Sequence, residues 1–234
     1  MIVAIDGPSG AGKSTIARRL ARHFGLLNLE TGAMYRAFAL KALRADLPLD
    51  ESAALERLAA ETTIGLEPGD AENRVLLDGE DVTGLLRNQI VTDAASRVSV
   101  FPAIRAWMVR LQQELGAKGG VVMEGRDIGT VVFPHAEVKI FLDAAPEVRG
   151  LRRYDQLGGS SCKPEIHPEE VIRDLRARDE RDRSRADSPL KAASDSVILD
   201  STDMTLEEAV QAAVAIVTAK LGKPLDRPRR QSAQ

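Results

Sequence analysis

Short runs of β-branched and other apolar residues alternate along this chain with stretches whose apolar positions recur at helical spacing. Ile2–Asp6 is followed by a helical pattern over residues 13–23, an extended run at 26–30 and a second helical pattern over 35–44. That is βαβα rhythm. It returns at residues 120–124, Val138–Asp143 and Val197–Asp200, continuous apolar runs of the kind a parallel sheet covers on both faces. Five core strands are therefore expected in an α/β fold. Residues 101–118 place Ile104, Trp107, Met108, Leu111 and Leu115 on one helical face, and Thr205-x-x-Glu208 is a capping box opening a helix over Leu206–Leu221. These stripes read as core, and Trp107 needs no cofactor to explain it.

Residues 62–100 break the rhythm. Runs at 62–67 and 73–77 flank Pro68-Gly69-Asp70, and Asp78-Gly79 offers a hairpin turn before 80–83, which predicts a small antiparallel insert. From Pro146 to Asp187 the chain is strongly charged, with Gly158-Gly159-Ser160-Ser161 dividing two helices and Pro168-Glu169-Glu170 starting the second. A hinged helical lid is expected there. Residues 225–234 carry Arg227, Arg229 and Arg230 in a polar stretch that reads as a disordered tail.

Composition adds exclusions more than assignments. With 234 residues, 44% apolar and 29% charged, the chain has the make-up of an ordinary globular protein. A net charge of −3 gives no bulk reason to expect nucleic acid or an acidic membrane as partner. The single cysteine, Cys162, excludes an internal disulfide and fits a reducing compartment. No apolar run is long enough to span a bilayer, and residues 1–6 enter a buried strand directly, so a cytoplasmic protein is expected. His23, His135 and His167 lack metal-ligand spacing and read as surface or packing residues.

Candidate chemistry begins at Gly7-Pro8-Ser9-Gly10-Ala11-Gly12-Lys13-Ser14, which matches G-x-x-x-x-G-K-[ST] between a strand and a helix. The glycines let backbone N–H groups turn inward around phosphate oxygens. Lys13 reaches the β and γ phosphates, the Ser14 hydroxyl suits a magnesium ion, and the helix beginning at Lys13 adds the positive end of its dipole. This segment, with Thr15, predicts ATP binding.

Residues 173–185 hold six arginines and four acids in thirteen positions. An ion-paired, solvated helix would look the same. However, Arg178, Arg181 and Arg185 stand at i, i+3 and i+7, one face of a continuous helix, and guanidinium forks suit bidentate phosphate contacts. A second arginine–carboxylate pair, Arg126-Asp127, follows a core strand, and Arg36 follows Thr31-Gly32. Three arginine sources around a phosphate loop describe a phosphoryl-transfer site that neutralises donor and anionic acceptor together.

Ile5-Asp6-Gly7-Pro8-Ser9-Gly10-Ala11-Gly12-Lys13-Ser14, Thr31-Gly32-Ala33-Met34-Tyr35-Arg36, Gly125-Arg126-Asp127-Ile128-Gly129-Thr130-Val131-Val132-Phe133-Pro134 and Arg178-Asp179-x-x-Asp182-Arg183-x-Arg185 together resemble the bacterial cytidylate kinases, in order from residue 2 to about 221. Two departures are mild: Thr31 stands where some members carry Ser, and Glu124 where others carry Asp. The resemblance implies a five-stranded P-loop kinase sheet with core segments 1–30, 101–148 and 186–224, a monophosphate-binding region at 31–100 and a lid at 149–185. It implies magnesium-dependent transfer of the γ-phosphoryl group of ATP to CMP, with dCMP a second acceptor. Two regions that must close around the substrates make a monomer the simpler expectation, and the charge and hydropathy above predict no nucleic-acid or membrane partner. By it, Thr31, Arg36, Arg126 and Arg185 hold the monophosphate, Asp182 contacts the ribose, and Ser96, Arg105 and Asp127 read the base. Lys13, Arg126, Arg185, Arg152, Arg178 and Arg181 carry the transferring charge.

Two rivals are distinguishable. A kinase of the same fold acting on AMP, UMP or a coenzyme precursor would have no use for the Ser96, Arg105 and Asp127 set, whose chemistry suits cytosine. A nucleotide-dependent switch would need no arginine-rich acceptor side, and the chain has no N-K-x-D motif.

Overall fold

The computed structural model describes residues 1–67, 73–157 and 167–221. The turn expected at Pro68-Gly69-Asp70, the Gly158–Ser161 break, Cys162 and the tail lie outside them. In chain order the elements are β1 (Ile2–Asp6), α1 (Lys13–Phe24), β2 (Leu27–Glu30), α2 (Thr31–Arg44), α3 (Ser52–Ala60), β3 (Ile64–Glu67), β4 (Arg74–Leu77), β5 (Glu80–Asp81), α4 (Gln89–Val98), α5 (Pro102–Gly116), β6 (Val121–Gly125), β7 (Val138–Asp143), α6 (Pro146–Gln156), α7 (Pro168–Ser184), β8 (Val197–Asp200) and α8 (Leu206–Leu221).

The main sheet has five parallel strands in the order β2-β6-β1-β7-β8, and β3-β4-β5 form a separate antiparallel sheet. Both agree with the alternation of apolar runs. Three of the core strands end side by side. Glu30 pairs with Glu124, and Glu124 with Ile5, so β2, β6 and β1 deliver their carboxyl ends, and the loops that follow, to one place. In open α/β sheets this edge is where ligands bind.

Each face of the sheet is covered for an identifiable reason. In α1, Ile16, Ala17, Leu20, Ala21 and Phe24 recur at helical spacing and bury against β1, β6, β7 and the Ala209, Val210, Ala213 and Val217 stripe of α8. On the other side, Ala4, Leu29, Val121 and Met123 pack against Ile128, Val132 and the Val109 and Leu115 of α5. Beyond them α2, α4 and α5 close over the small sheet around Met34, Phe38, Leu55, Ile104 and Met108.

Four helices differ from what the sequence predicts. Helix α2 begins at Thr31, four residues before the expected start at Tyr35, so Thr31 and Gly32 form its first turn. Helices α3 and α4 were not anticipated; α3 buries only Ala54, Leu55 and Ala59, and Asn88 caps α4 by accepting the Ile90 N–H. Helix α7 ends at Ser184, and Arg185 turns into extended backbone, so the i+7 spacing from Arg178 is not a helical one.

Phe38 is fully buried with its ring edge-on to Trp107 at 5.1 Å between centroids. Phe38→Ala is expected to destabilise the fold by about 3–5 kcal/mol. Urea unfolding followed by the fluorescence of Trp107, the single tryptophan of the chain, measures this directly.

Candidate active site

A cleft of about 580 Å³ opens at the carboxyl edge of β1, β2 and β6. Ser9, Gly10, Gly12, Lys13, Ser14 and Thr15 form its floor. Gly7, Pro8 and Ala11 support that floor from beneath. A Cβ at Gly7 would stand 2.0 Å from the Leu142 carbonyl oxygen, Ala11 is buried in the core, and the Pro8 carbonyl accepts a hydrogen bond from Lys13 Nζ at 2.7 Å. Ser14 donates its hydroxyl to Glu124 Oε1, and Thr31 donates to the Glu124 carbonyl at 2.7 Å.

Asp6 holds the next wall. Its carboxylate accepts the N–H of Ile128 at 2.8 Å and of Gly129 at 2.7 Å, which anchors the π-helical turn Ile128–Val132 and with it the preceding Arg126-Asp127. Burial pushes the Asp6 carboxyl up to about 6, against the pull of the two N–H bonds.

Cations crowd this space. Arg126 Nε donates to Asp182 Oδ2 at 2.8 Å and Arg126 Nη2 to Ser9 Oγ at 2.6 Å, while Arg185 lies 3.6 Å from the other oxygen of Asp182. Burial and the charge of Arg126 lower Lys13 to about 7, partly opposed by Glu124. The same two causes lower Arg178 to about 10. Burial disfavours the charge on Asp182, but Arg126, Arg185 and Arg178 together hold its carboxyl below the ordinary range. On the β2 side Arg36 donates to Glu30. Glu30 and Glu124 are neighbours across two strands, and Glu124 is raised first by burial and then by that second carboxylate.

At the far end of the cleft Ser96, Arg105 and Asp127 are all buried, and Arg105 donates to Asp127 Oδ2. The Arg105 guanidinium lies 5.9 Å from the centroid of the Tyr35 ring. Arg18, Arg36, Arg105, Arg178 and Arg185 each keep a buried Nε without a partner among the described residues, as does Ser96 Oγ. All six residues line this cleft. Buried polar groups are nearly always paired, so this concentration marks a surface shaped for an anionic, hydrogen-bonding ligand.

The structure thus gathers the predicted Lys13, Ser14, Thr31, Arg36, Ser96, Arg105, Arg126, Asp127, Arg178, Asp182 and Arg185 around one cavity. It does not bring Arg152 or Arg181 there. Arg152 donates to the Ser201 carbonyl at 2.7 Å and to Ser201 Oγ at 3.1 Å, and its neighbour Arg153, about 100° further round α6, lines the cleft instead. Arg181 is exposed and donates to the Ala177 carbonyl of its own helix. Arg18, Glu30, Tyr35, Arg87 and Arg153 also line the cleft, though the sequence reading gave them no role. Arg18 had a signal: it stands at i+4 from Ser14 on α1, on the same helical face.

The cytidylate kinase family description matches residues 3–219. The chain belongs to that family. The cytidylate kinase of Pasteurella multocida is 43% identical over 221 residues, covering 94% of this chain and 96% of its own length. That of Pelotomaculum thermopropionicum is 48% identical over 219 residues, covering 93% and 96%. The cytidylate kinase match therefore includes every element that lines the cleft. Among solved structures, an uncharacterized protein from Eubacterium ventriosum superposes with a TM-score of 0.51 at 12% identity, covering 94% of this chain and 99% of its own, and it shares the fold alone.

A bound polyphosphate places negative charge beside Lys13 and restores its proton. Since the free lysine titrates near 7, binding ATP at pH 8.5 is expected to take up close to one proton from the buffer, with the uptake declining as pH falls below 7. Calorimetry in two buffers of different ionisation enthalpy reads this, and Lys13→Met is expected to reduce it to near zero. The folded lysine releases its proton at lower pH than the unfolded one. Its contribution to stability therefore rises with pH from about 7 toward the ordinary lysine range.

Proposed function

We propose that this protein transfers the γ-phosphoryl group of ATP to CMP, and to dCMP as a second acceptor, giving ADP and CDP or dCDP. The observation that carries the proposal is one cleft with a phosphate loop at one end, Ser96, Arg105 and Asp127 at the other, and arginines that each keep a buried Nε without a partner among the described residues along it.

ATP lies on the phosphate loop, with Lys13 leaving the Pro8 carbonyl for the β and γ phosphates. CMP enters opposite. Arg126, Arg185, Arg36 and Thr31 take its phosphate, and Arg36 exchanges Glu30 for the ligand as it does so. Asp182 contacts the ribose hydroxyls. The cytosine amino group donates to Asp127 and Ser96, while Arg105 donates to the ring acceptors. Uracil would set O4 against the Asp127 carboxylate, and unmatched buried polar groups discriminate far more strongly than shape.

The acceptor phosphate oxygen attacks the γ phosphorus in line with the departing β-phosphate bridge oxygen, and no covalent enzyme intermediate is required. Lys13, Arg126 and Arg178 stabilise the transferring charge, and closure of the lid would exclude water from it. Magnesium, when bound, neutralises β- and γ-phosphate oxygens. The Ser14 hydroxyl and the Glu124 carboxylate are hard oxygen donors that suit it. No group of three His, Cys, Asp or Glu that could hold a metal gathers among the described residues, so the nucleotide and water would complete its shell.

In this reading segments 1–30, 101–148 and 186–224 are the core, 31–100 the acceptor-binding region, and α6 with α7 the lid at 149–185, with Arg152 and Arg181 available to the transferring group only if the lid rearranges. We read the enzyme as a cytoplasmic monomer acting on free nucleotides. The low net charge gives no bulk attraction to nucleic acid or an acidic membrane, and no helix among the described residues is long and apolar enough to cross a membrane.

The direct test is ADP release from ATP and magnesium with CMP, dCMP, UMP, AMP and GMP each as acceptor, against a control with none. Release driven by CMP and dCMP is expected; preference for another monophosphate would overturn the base-reading set, and acceptor-independent release would favour a switch. Arg126→Ala is expected to lower kcat/KM for CMP by about 10²–10³-fold while the dissociation constant for ATP changes little. Equal losses in both would remove Arg126 from the acceptor side.

A further inference from the structure

The kinase reading assigns no role to Arg149 and Asp179, yet they are the most deeply buried ion pair among the described residues, 2% and 3% exposed. Arg149 sits on α6 and Asp179 on α7. Arg149 Nη1 donates to Asp179 Oδ2 at 2.5 Å and to the Ser9 carbonyl at 2.9 Å, and its Nε donates to the Ala144 carbonyl at 2.8 Å. Asp179 Oδ1 accepts the Ser9 N–H at 3.3 Å. Both backbone polar groups of Ser9, inside the phosphate loop, are therefore held by this pair.

The backbones are correspondingly close. A Cβ at Gly10 would lie 3.1 Å from the Arg149 carbonyl oxygen, and one at Gly150 would lie 2.1 Å from Ile172 Cγ1. The glycines at 10 and 150 let the loop come directly against the α6 backbone and the Ile172 side chain of α7 directly against α6. Of the three residues that α7 presents to the cleft, Leu175, Arg178 and Asp182, Asp179 stands between the last two: Arg178 is next to it in sequence, and Asp182 follows at i+3, on the same helical face.

We infer that Arg149 and Asp179 are positioning residues: by clamping the Ser9 peptide they set the register of α7 on the phosphate loop, and so the height of Arg178 and Asp182 over Lys13. Neither touches a substrate. An apolar pair could hold two helices together equally well, and replacing a buried ion pair by apolar groups is often neutral or stabilising. What an apolar pair cannot do is fix the direction of a peptide N–H and C=O. The inference rests on the kinase reading of the cleft.

The experiment compares Asp179→Leu, Arg149→Met and the double variant with the full-length wild type, measuring thermal midpoint, kcat and KM at a temperature where each is folded, and ATP affinity without acceptor. Each single variant leaves one buried group unmatched and is expected to lose roughly 10 °C in Tm, most of which returns in the double variant. Turnover is not expected to return. In the double variant kcat stays about 10²-fold below wild type, with KM for CMP within about threefold and ATP affinity down by about tenfold. Recovery of kcat together with Tm would reduce the pair to structural glue and overturn the inference. If the single variants do not fold, the double variant decides alone. Wild-type protein that binds ATP but does not phosphorylate CMP overturns the kinase reading. The pair is then judged on ATP affinity, where the same tenfold loss supports the clamp and a wild-type value sinks it.

Discussion

Like charges forced together are the constraint that organises this molecule. Lys13, Arg36, Arg126, Arg178 and Arg185 face one cleft, and in the absence of an anion they would drive it open. Asp182, Glu124 and Glu30 keep it together by standing between them. Asp182 is the clearest case, since it is held ionised in a buried position by three arginines, two of which it pairs with. The lowered proton affinity of Lys13 reflects its burial first and the repulsion from Arg126 second. A site in this state is already arranged around the charge distribution of its ligand, so little reorganisation is left for the moment of reaction.

That arrangement depends on the parallel sheet. Register across β2, β6 and β1 aligns Glu30, Glu124 and Ile5, so residues from three remote parts of the sequence reach the cleft from one rigid edge. The loops then need only short spans to place Lys13, Thr31 and Arg126. Asp6 adds a cross-link at that edge by holding the turn after β6 from the end of β1.

Much of this was legible in the sequence because it rests on periodicity and on one spaced motif. The five strands are short, mainly apolar runs, and the phosphate loop is recognisable from its glycines and lysine. Helices α3 and α4 were not legible for a physical reason: α3 buries three small or medium side chains, and α4 mixes Val, Thr, Asp and Ser, residues with weak helical preference that owe their helix to packing on α2. In the charged segment, spacing alone could not give the phase of α6, which decides between Arg152 and Arg153, nor that α7 stops before Arg185. The Arg149–Asp179 pair was invisible because a sequence dense in both signs reads as solvated surface, and burial of one pair among many is decided by tertiary contact.

The sheet order also has a temporal side. Strand β1 is central, and its two partners begin at Val121 and Val138. At ribosomal rates of about 5–20 residues per second, the first strand made waits on the order of 10 s before either neighbour exists. During that wait Ile2, Val3, Ala4 and Ile5 are an unpaired apolar strand on a nascent chain, the kind of segment chaperones shield. The Ser9–Asp179 contact closes 170 residues of separation, so the phosphate loop acquires its final shape only once α7 has been made.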